Sequence, residues 1–249
     1  MAETKLFDRD GRQIFLGDIV DPTTGQSGAM KAAEVGDIQK LQYLKDRHAD
    51  FNLQDHDGWT ALFYASACHH VECARFLVWA GVDLEIKAND LWTALMIAID
   101  HRQIEIVNAI CAAGVKIGNW TREGFCELVI AMKDPAILET LLCYGADPEL
   151  PHPRIPFLTP LMIAMQNRGT DPRSVKLLVR YGASVNSVND AGQTPLMLSV
   201  ANADVMRALL ECGADIYQKD CDGESVCDYV KKNGSSCMTV GGLPPHKFA

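Results

Sequence analysis

The sequence predicts an all-α fold: a solenoid of stacked helix-turn-helix units with β-turn fingers, preceded by a short N-terminal hairpin. Three observations predict it. Small and apolar residues recur every 33 residues, each period opens on a turn-and-cap signature, and each closes on a helix-stop glycine. Ala32, Ala65, Ala98, Ala131 and Ala164 keep that spacing, and so do Leu62, Leu95, Leu128 and Leu161. Thr60 and Thr93 are 33 apart, Thr159 follows Thr93 by 66, and Cys126 fills the slot between them. Gly81 and Gly114 hold the period; Gly145, Gly182 and Gly213 then follow at 31, 37 and 31, offsets that cancel over three units. Residues 22 to 219 thus make six units, and a seventh, partial unit follows.

Residues 1–21 lie outside the repeat. Leu6-Phe7, Asp10-Gly11 and Ile14-Phe15-Leu16 read as a hairpin around a D-G turn, packed on the first repeat or serving as a docking element. Within a unit, Asp57-Gly58-Trp59-Thr60-Ala61-Leu62 or Ala191-Gly192-Gln193-Thr194-Pro195-Leu196 forms the opening. The Gly suits a turn with positive φ, the Thr is an N-cap, and Pro or Ala starts the helix. A short first helix runs Leu62 to Ala67, and a second carries Val71, Ala74, Phe76, Leu77 and Val78 before Gly81 ends it. Lys31, Glu34, Asp37, Gln39 and Lys40 make the first unit polar enough to cap the stack, as Asp222, Glu224, Asp228, Lys231 and Lys232 do for the last. Residues 235–249 read as an extended tail.

This grammar resembles the ankyrin repeat, a β-turn and two antiparallel helices with a T-P-L-H-x-A signature. The matches are Thr194-Pro195-Leu196-Met197, Thr159-Pro160-Leu161-Met162-Ile163-Ala164 and Thr60-Ala61-Leu62-Phe63-Tyr64-Ala65, with endings such as Tyr181-Gly182-Ala183-Ser184-Val185-Asn186. The repeat domain spans residues 22–234. There are departures. Phe63, Met96, Val129, Met162 and Met197 replace the signature His, so its loop-bracing hydrogen bond is expected to be absent. Leu91 and Phe157 occupy turn-glycine slots, so those turns are expected to differ in shape. Cys126 is a weak cap. The turn at Asp134-Pro135 is shortened, and the next unit is lengthened at His152-Pro153 and at Arg168-Gly169-Thr170-Asp171.

Composition excludes several classes. The chain has 249 residues and a net charge of −9, and no Lys/Arg run offers a footprint for nucleic acid. No apolar run approaches the ~20 residues of a membrane span, and the charged start MAETKLFDRDGR lacks the apolar core of a signal peptide. Nine irregularly spaced cysteines fit mostly buried free thiols rather than disulfides, and the sequons at Asn119 and Asn233 read as chance in a cytoplasmic or nuclear protein. Cys68, His69, His70 and Cys73 cluster, but their spacing matches no structural zinc pattern and Cys73 is expected to face the helix packing. No catalytic or phosphate-binding motif occurs. No enzyme activity, metal or cofactor is expected.

The resemblance implies a protein partner held on the concave face of turn tips and first helices. The residue between turn and cap is Trp59, Trp92, Phe125, Leu158 and Gln193 in successive units. Stacking would align them as an apolar ladder, either an anchor surface or rings folded back over their own turns. Asp57, Asp90 and Glu123 flank the ladder, and Asp100 and His101 end a first helix. This acidic lean predicts a partner segment with apolar and basic residues, bound by a monomer. The family also implies hydroxylation of Asn52 and Asn186, each eight residues after a Leu. The alternatives are an assembly chaperone or regulatory subunit, similar in size to the seven-repeat gankyrin, and a regulatory domain of a larger protein.

Overall fold

A computed structural model describes residues 20–167 and 169–232 together with two short strands. The strands β1 (Leu6–Phe7) and β2 (Gln13–Ile14) pair antiparallel, Leu6 opposite Ile14 and Phe7 opposite Gln13. The expected D-G turn, Phe15-Leu16 and the tail from residue 235 lie outside the described residues. The chain divides into two compact units, Met1–Lys116 and Ile117–Ala249.

The first unit holds three helix pairs: α1 (Gly28–Val35) with α2 (Ile38–Lys45), α3 (Ala61–Ala67) with α4 (Val71–Trp79), and α5 (Ala94–Asp100) with α6 (Ile104–Ala112). First helices pack on first helices, α1 on α3 and α3 on α5, and second helices on second helices, α2 on α4 and α4 on α6. The period places small and apolar side chains at every one of these contacts. Ala32, Ala65 and Ala98 are fully buried and let the first helices approach closely, while Leu41, Leu44, Leu77, Ile106 and Ile110 fill the second layer.

The second unit repeats this with α7 (Glu127–Ala131), α9 (Pro160–Met165), α11 (Pro195–Leu198) and α13 (Val226–Lys232) in one layer, and α8 (Pro135–Cys143), α10 (Pro172–Arg180) and α12 (Ala203–Glu211) in the other. At the shortened turn, Asp134 Oδ1 accepts from the Ala136 and Ile137 amides, so Pro135 enters the first helical position without losing a donor. In the lengthened turn the Thr170 hydroxyl donates to the Ala164 carbonyl at 2.7 Å.

Caps follow the pattern in part. Thr93, Thr159 and Thr194 accept from the amides of Met96, Met162 and Met197, each such cap being worth about 1 kcal/mol. Thr60 makes no side-chain cap, contrary to expectation, and neither does Cys126. At two positions a methionine three residues after the cap takes up the cap residue's amide: the Met197 sulfur accepts from the Thr194 amide at 3.5 Å and the Met30 sulfur from the Ser27 amide at 3.2 Å.

Candidate functional site

Between helix pairs the chain makes fingers. Backbone bonds Asp55 N–H to Trp59 O, Ala88 to Trp92, Thr121 to Phe125, Asn189 to Gln193 and Asp220 to Glu224 close five turns of one design. At Leu91 the expectation of an altered shape fails. Leu91 adopts φ 70°, close to the 83° of Gly58, because its finger keeps the same bonds: Ala88 N–H to Trp92 O at 2.9 Å and Leu91 N–H to Ala88 O at 2.9 Å. The finger bonds outweigh a left-handed penalty of about 1–2 kcal/mol. Phe157 is also left-handed, at φ 61°, but its finger is rebuilt at the base: His152 Nδ1 accepts from the Arg154 and Ile155 amides. Phe157 is 72% exposed at that tip.

In the first unit, Trp59 and Trp92 are half-buried, and Asp57 and Asp90 stand exposed beside them. The two fingers are joined: the Asn89 amide donates to Asp57 O at 3.0 Å, and Asn89 Nδ2 to His56 O at 2.8 Å. Gly58 permits this approach, since a Cβ there would sit 2.9 Å from Asn89 N. The Trp59 ring lies 5.8 Å from Phe63 and 5.3 Å, edge-on, from Tyr64, so it leans on its own first helix. Trp92 is held through its backbone, its amide donating to Asp90 Oδ1 at 3.1 Å. Asp100 and His101 are exposed at the end of α5, where the His101 ring lies 5.6 Å from His69. In the second unit, Phe125 and Leu158 are half-buried and Glu123 is exposed.

Asn52 and Asn186 are exposed, yet both bridge neighbouring repeats. Asn52 Oδ1 accepts from the Asp83 amide at 2.9 Å, and Asn186 Oδ1 from the Asp215 amide at 2.8 Å.

Buried Asp55, which the sequence reading did not single out, organises its finger. Oδ1 accepts from the Asp57 and Trp59 amides, and Oδ2 from the Tyr64 hydroxyl at 2.6 Å. Burial, together with this bond to a carboxylate, pushes the Tyr64 pKa up to about 12. The signal was present in the sequence: Asp and Tyr nine residues apart recur at Asp220 and Tyr229. Glu127 was missed as well. It stands in the slot where the other units carry Gly28, Ala61, Ala94, Pro160, Pro195 or Val226, none charged, is 1% exposed, and accepts from the Gly118 and Asn119 amides; burial raises its pKa.

The cysteines are less buried than expected. Cys73, Cys111 and Cys126 are buried, but Cys143 and Cys221 are exposed and Cys68, Cys212 and Cys227 lie between. The reason is position: Cys143 ends a second helix and Cys221 sits in a finger. Burial raises the Cys126 thiol to about 12, which leaves it unreactive. Among the described residues, no three His, Cys, Asp or Glu side chains form a metal-binding group, and no helix is long and apolar enough to cross a membrane.

Paired helices in two layers, closed by repeated fingers, define a class of repeat protein, and comparison agrees: the family model described as ankyrin repeats (3 copies) matches residues 29–119 and 127–220. The chain belongs to the ankyrin-repeat family, and these repeats indicate a protein-protein interaction module. Among solved structures it is similar to the ankyrin repeat domain of Bcl-3, with TM-score 0.74 and 20% identity over 88% of this chain and 97% of that one. It is also similar to the human ASB11 ankyrin repeat domain, with TM-score 0.67 and 25% identity over 82% of this chain and 91% of that one. Among curated proteins it is 38% identical over 58 residues to human protein phosphatase 1 regulatory subunit 27, a stretch covering 22% of this chain and 38% of that protein.

Proposed function

We propose that the chain binds a protein segment along the concave face of its repeats, with apolar residues of the partner on the ladder and basic residues beside it. The observation that supports this most is Trp92: a large aromatic left half-exposed on a finger that also carries exposed Asp90 and is bonded to the finger that carries exposed Asp57. A ring in that position offers apolar area at low entropic cost, and the acids favour a cationic flank. On this reading Trp59, Trp92, Phe125 and Leu158 are anchors, Asp57, Asp90, Glu123, Asp100 and His101 select charge, and the chain acts as a monomer in the cytoplasm or nucleus without catalysis or cofactor. The repeat domain is residues 22–234, with 1–21 an N-terminal extension and 235–249 a tail. Affinity capture with wild type and with Trp92→Ala tests the reading. A partner retained equally by both would sink it.

A second reading, a regulatory subunit of an enzyme, draws on the likeness to phosphatase 1 regulatory subunit 27. Phosphatase among the captured proteins would favour it. Hydroxylation of Asn52 and Asn186 is proposed from the family. Mass spectrometry of the native protein finding neither Asn oxidised would dispose of it.

A further inference from the structure

We propose that Asp55 and Tyr64 are positioning residues that preset the Trp59 ring, and that Asp220 and Tyr229 hold another finger by the same device. The proposal rests on the ladder reading for its purpose and on geometry for its existence. In the first unit, Asp55 Oδ1 accepts from the Asp57 amide at 2.9 Å and the Trp59 amide at 2.8 Å, and Oδ2 accepts from the Tyr64 hydroxyl at 2.6 Å. The Tyr64 ring then meets Trp59 edge-on at 5.3 Å, and Gln26 hydrogen-bonds the same hydroxyl. One buried carboxylate therefore fixes both the backbone that carries Trp59 and the ring that supports it.

The second unit carries the clasp independently. Asp220 Oδ1 accepts from the Asp222 amide at 3.0 Å and the Glu224 amide at 2.8 Å, Oδ2 accepts from the Tyr229 hydroxyl at 2.7 Å, and Gln193 Nε2 donates to that hydroxyl at 2.7 Å. Gln26 and Gln193 both occupy the ladder slot of a preceding repeat. The two clasps stand 165 residues apart, five full periods, so the arrangement belongs to a register position. Fingers between them carry at most its backbone half. Asn189 Oδ1 accepts from the Ala191 and Gln193 amides and Thr121 Oγ1 from the Phe125 amide, Ala88 has no side-chain acceptor, and the tyrosine slot holds Ile97, Ile130, Ile163 or Leu198, none with a hydroxyl. In the first unit this separates the two tryptophans. The Trp59 amide and its supporting ring share one carboxylate, whereas Ala88 offers no side-chain acceptor and the Trp92 amide is held by Asp90 alone among the described side chains, with no ring bonded to that carboxylate.

Native-state hydrogen exchange of the full chain tests the clasp without any partner. In Asp55→Ala the Trp59 amide should exchange about tenfold faster, the worth of roughly one hydrogen bond, while the Glu224 amide stays unchanged; Asp220→Ala should give the reverse pattern. Asp55→Asn keeps an acceptor for both amides and should restore most of the protection. A milder variant, Tyr64→Phe, guards against unfolding. Made in a chain whose Trp79, Trp92 and Trp120 are Phe, it should lower the fluorescence anisotropy of Trp59. Unchanged exchange at Trp59 in Asp55→Ala, or an equal rise in every finger, overturns the clasp. Local loss as stated, combined with partner binding indifferent to Trp59 and Trp92, would instead retire the ladder reading alone.

Discussion

Replacing Gly58 by Ala should cost more than replacing Gly81 by Ala, and the difference measures how tightly the fingers stack. Both glycines have φ 83°, so both substitutions impose the same left-handed strain of about 1–2 kcal/mol. Gly81 has open space around its missing Cβ, with no atom within 4 Å. At Gly58 the added carbon would lie 2.9 Å from Asn89 N and 3.0 Å from Ala88 Cα, both backbone atoms with little freedom to retreat. The next finger must shift, and its bonds from Asn89 N and Nδ2 to Asp57 O and His56 O weaken or break, at about 1 kcal/mol each. Gly81→Ala is therefore expected to lose about 1–2 kcal/mol and Gly58→Ala about 2–4 kcal/mol. Urea denaturation followed by far-UV circular dichroism reads the difference, and exchange of the Asn89 amide gives a local check. Equal losses from the two variants would refute close finger stacking as the reason for glycine at 58.

Other expectations follow from individual groups. Glu127 is raised above its ordinary 4.5 by burial, so its ionisation opposes folding above the folded-state value and the cost fades as pH falls toward 4.5. Wild type should thus gain stability relative to Glu127→Gln as pH is lowered through that window, read as the pH dependence of the difference in Tm. Lys45 Nζ lies 3.6 Å from the Trp79 ring centroid, and a double-mutant cycle with Lys45→Ala and Trp79→Ala should return a coupling of about 0.5–1 kcal/mol. With a thiol reagent at neutral pH, Cys143 and Cys221 should be modified first and Cys126 last among the described cysteines; rapid labelling of Cys126 in folded protein would contradict its burial.

The helix pairs were legible because burial imposes the period: every 33 residues the same small Ala and large Leu must face the same neighbours. Leu91 was misjudged because local preference was set against a glycine slot, whereas the finger's backbone bonds decide the conformation. Cysteine exposure was misjudged for a related reason. Helical register says little about exposure in the last turn of a helix, where Cys143 is the final residue, or in a finger, where Cys221 sits. For the site, the aromatic slot was visible in the sequence, but the division of labour was not. Trp59 and Trp92 look equivalent in register, and the Asp55–Tyr64 clasp, with the Phe63 ring beside it, distinguishes them. That clasp joins residues nine apart across a turn, a spacing belonging to no helix or strand period.

The most direct test of the binding reading is selection of a random peptide library on the wild-type chain, with rebinding of the enriched peptides to the Trp59→Ala, Trp92→Ala double variant. The account predicts enriched peptides carrying apolar residues flanked by Lys or Arg, and at least tenfold weaker binding to a double variant of near wild-type helical content. Enrichment of acidic peptides, or equal binding to both forms, would contradict it.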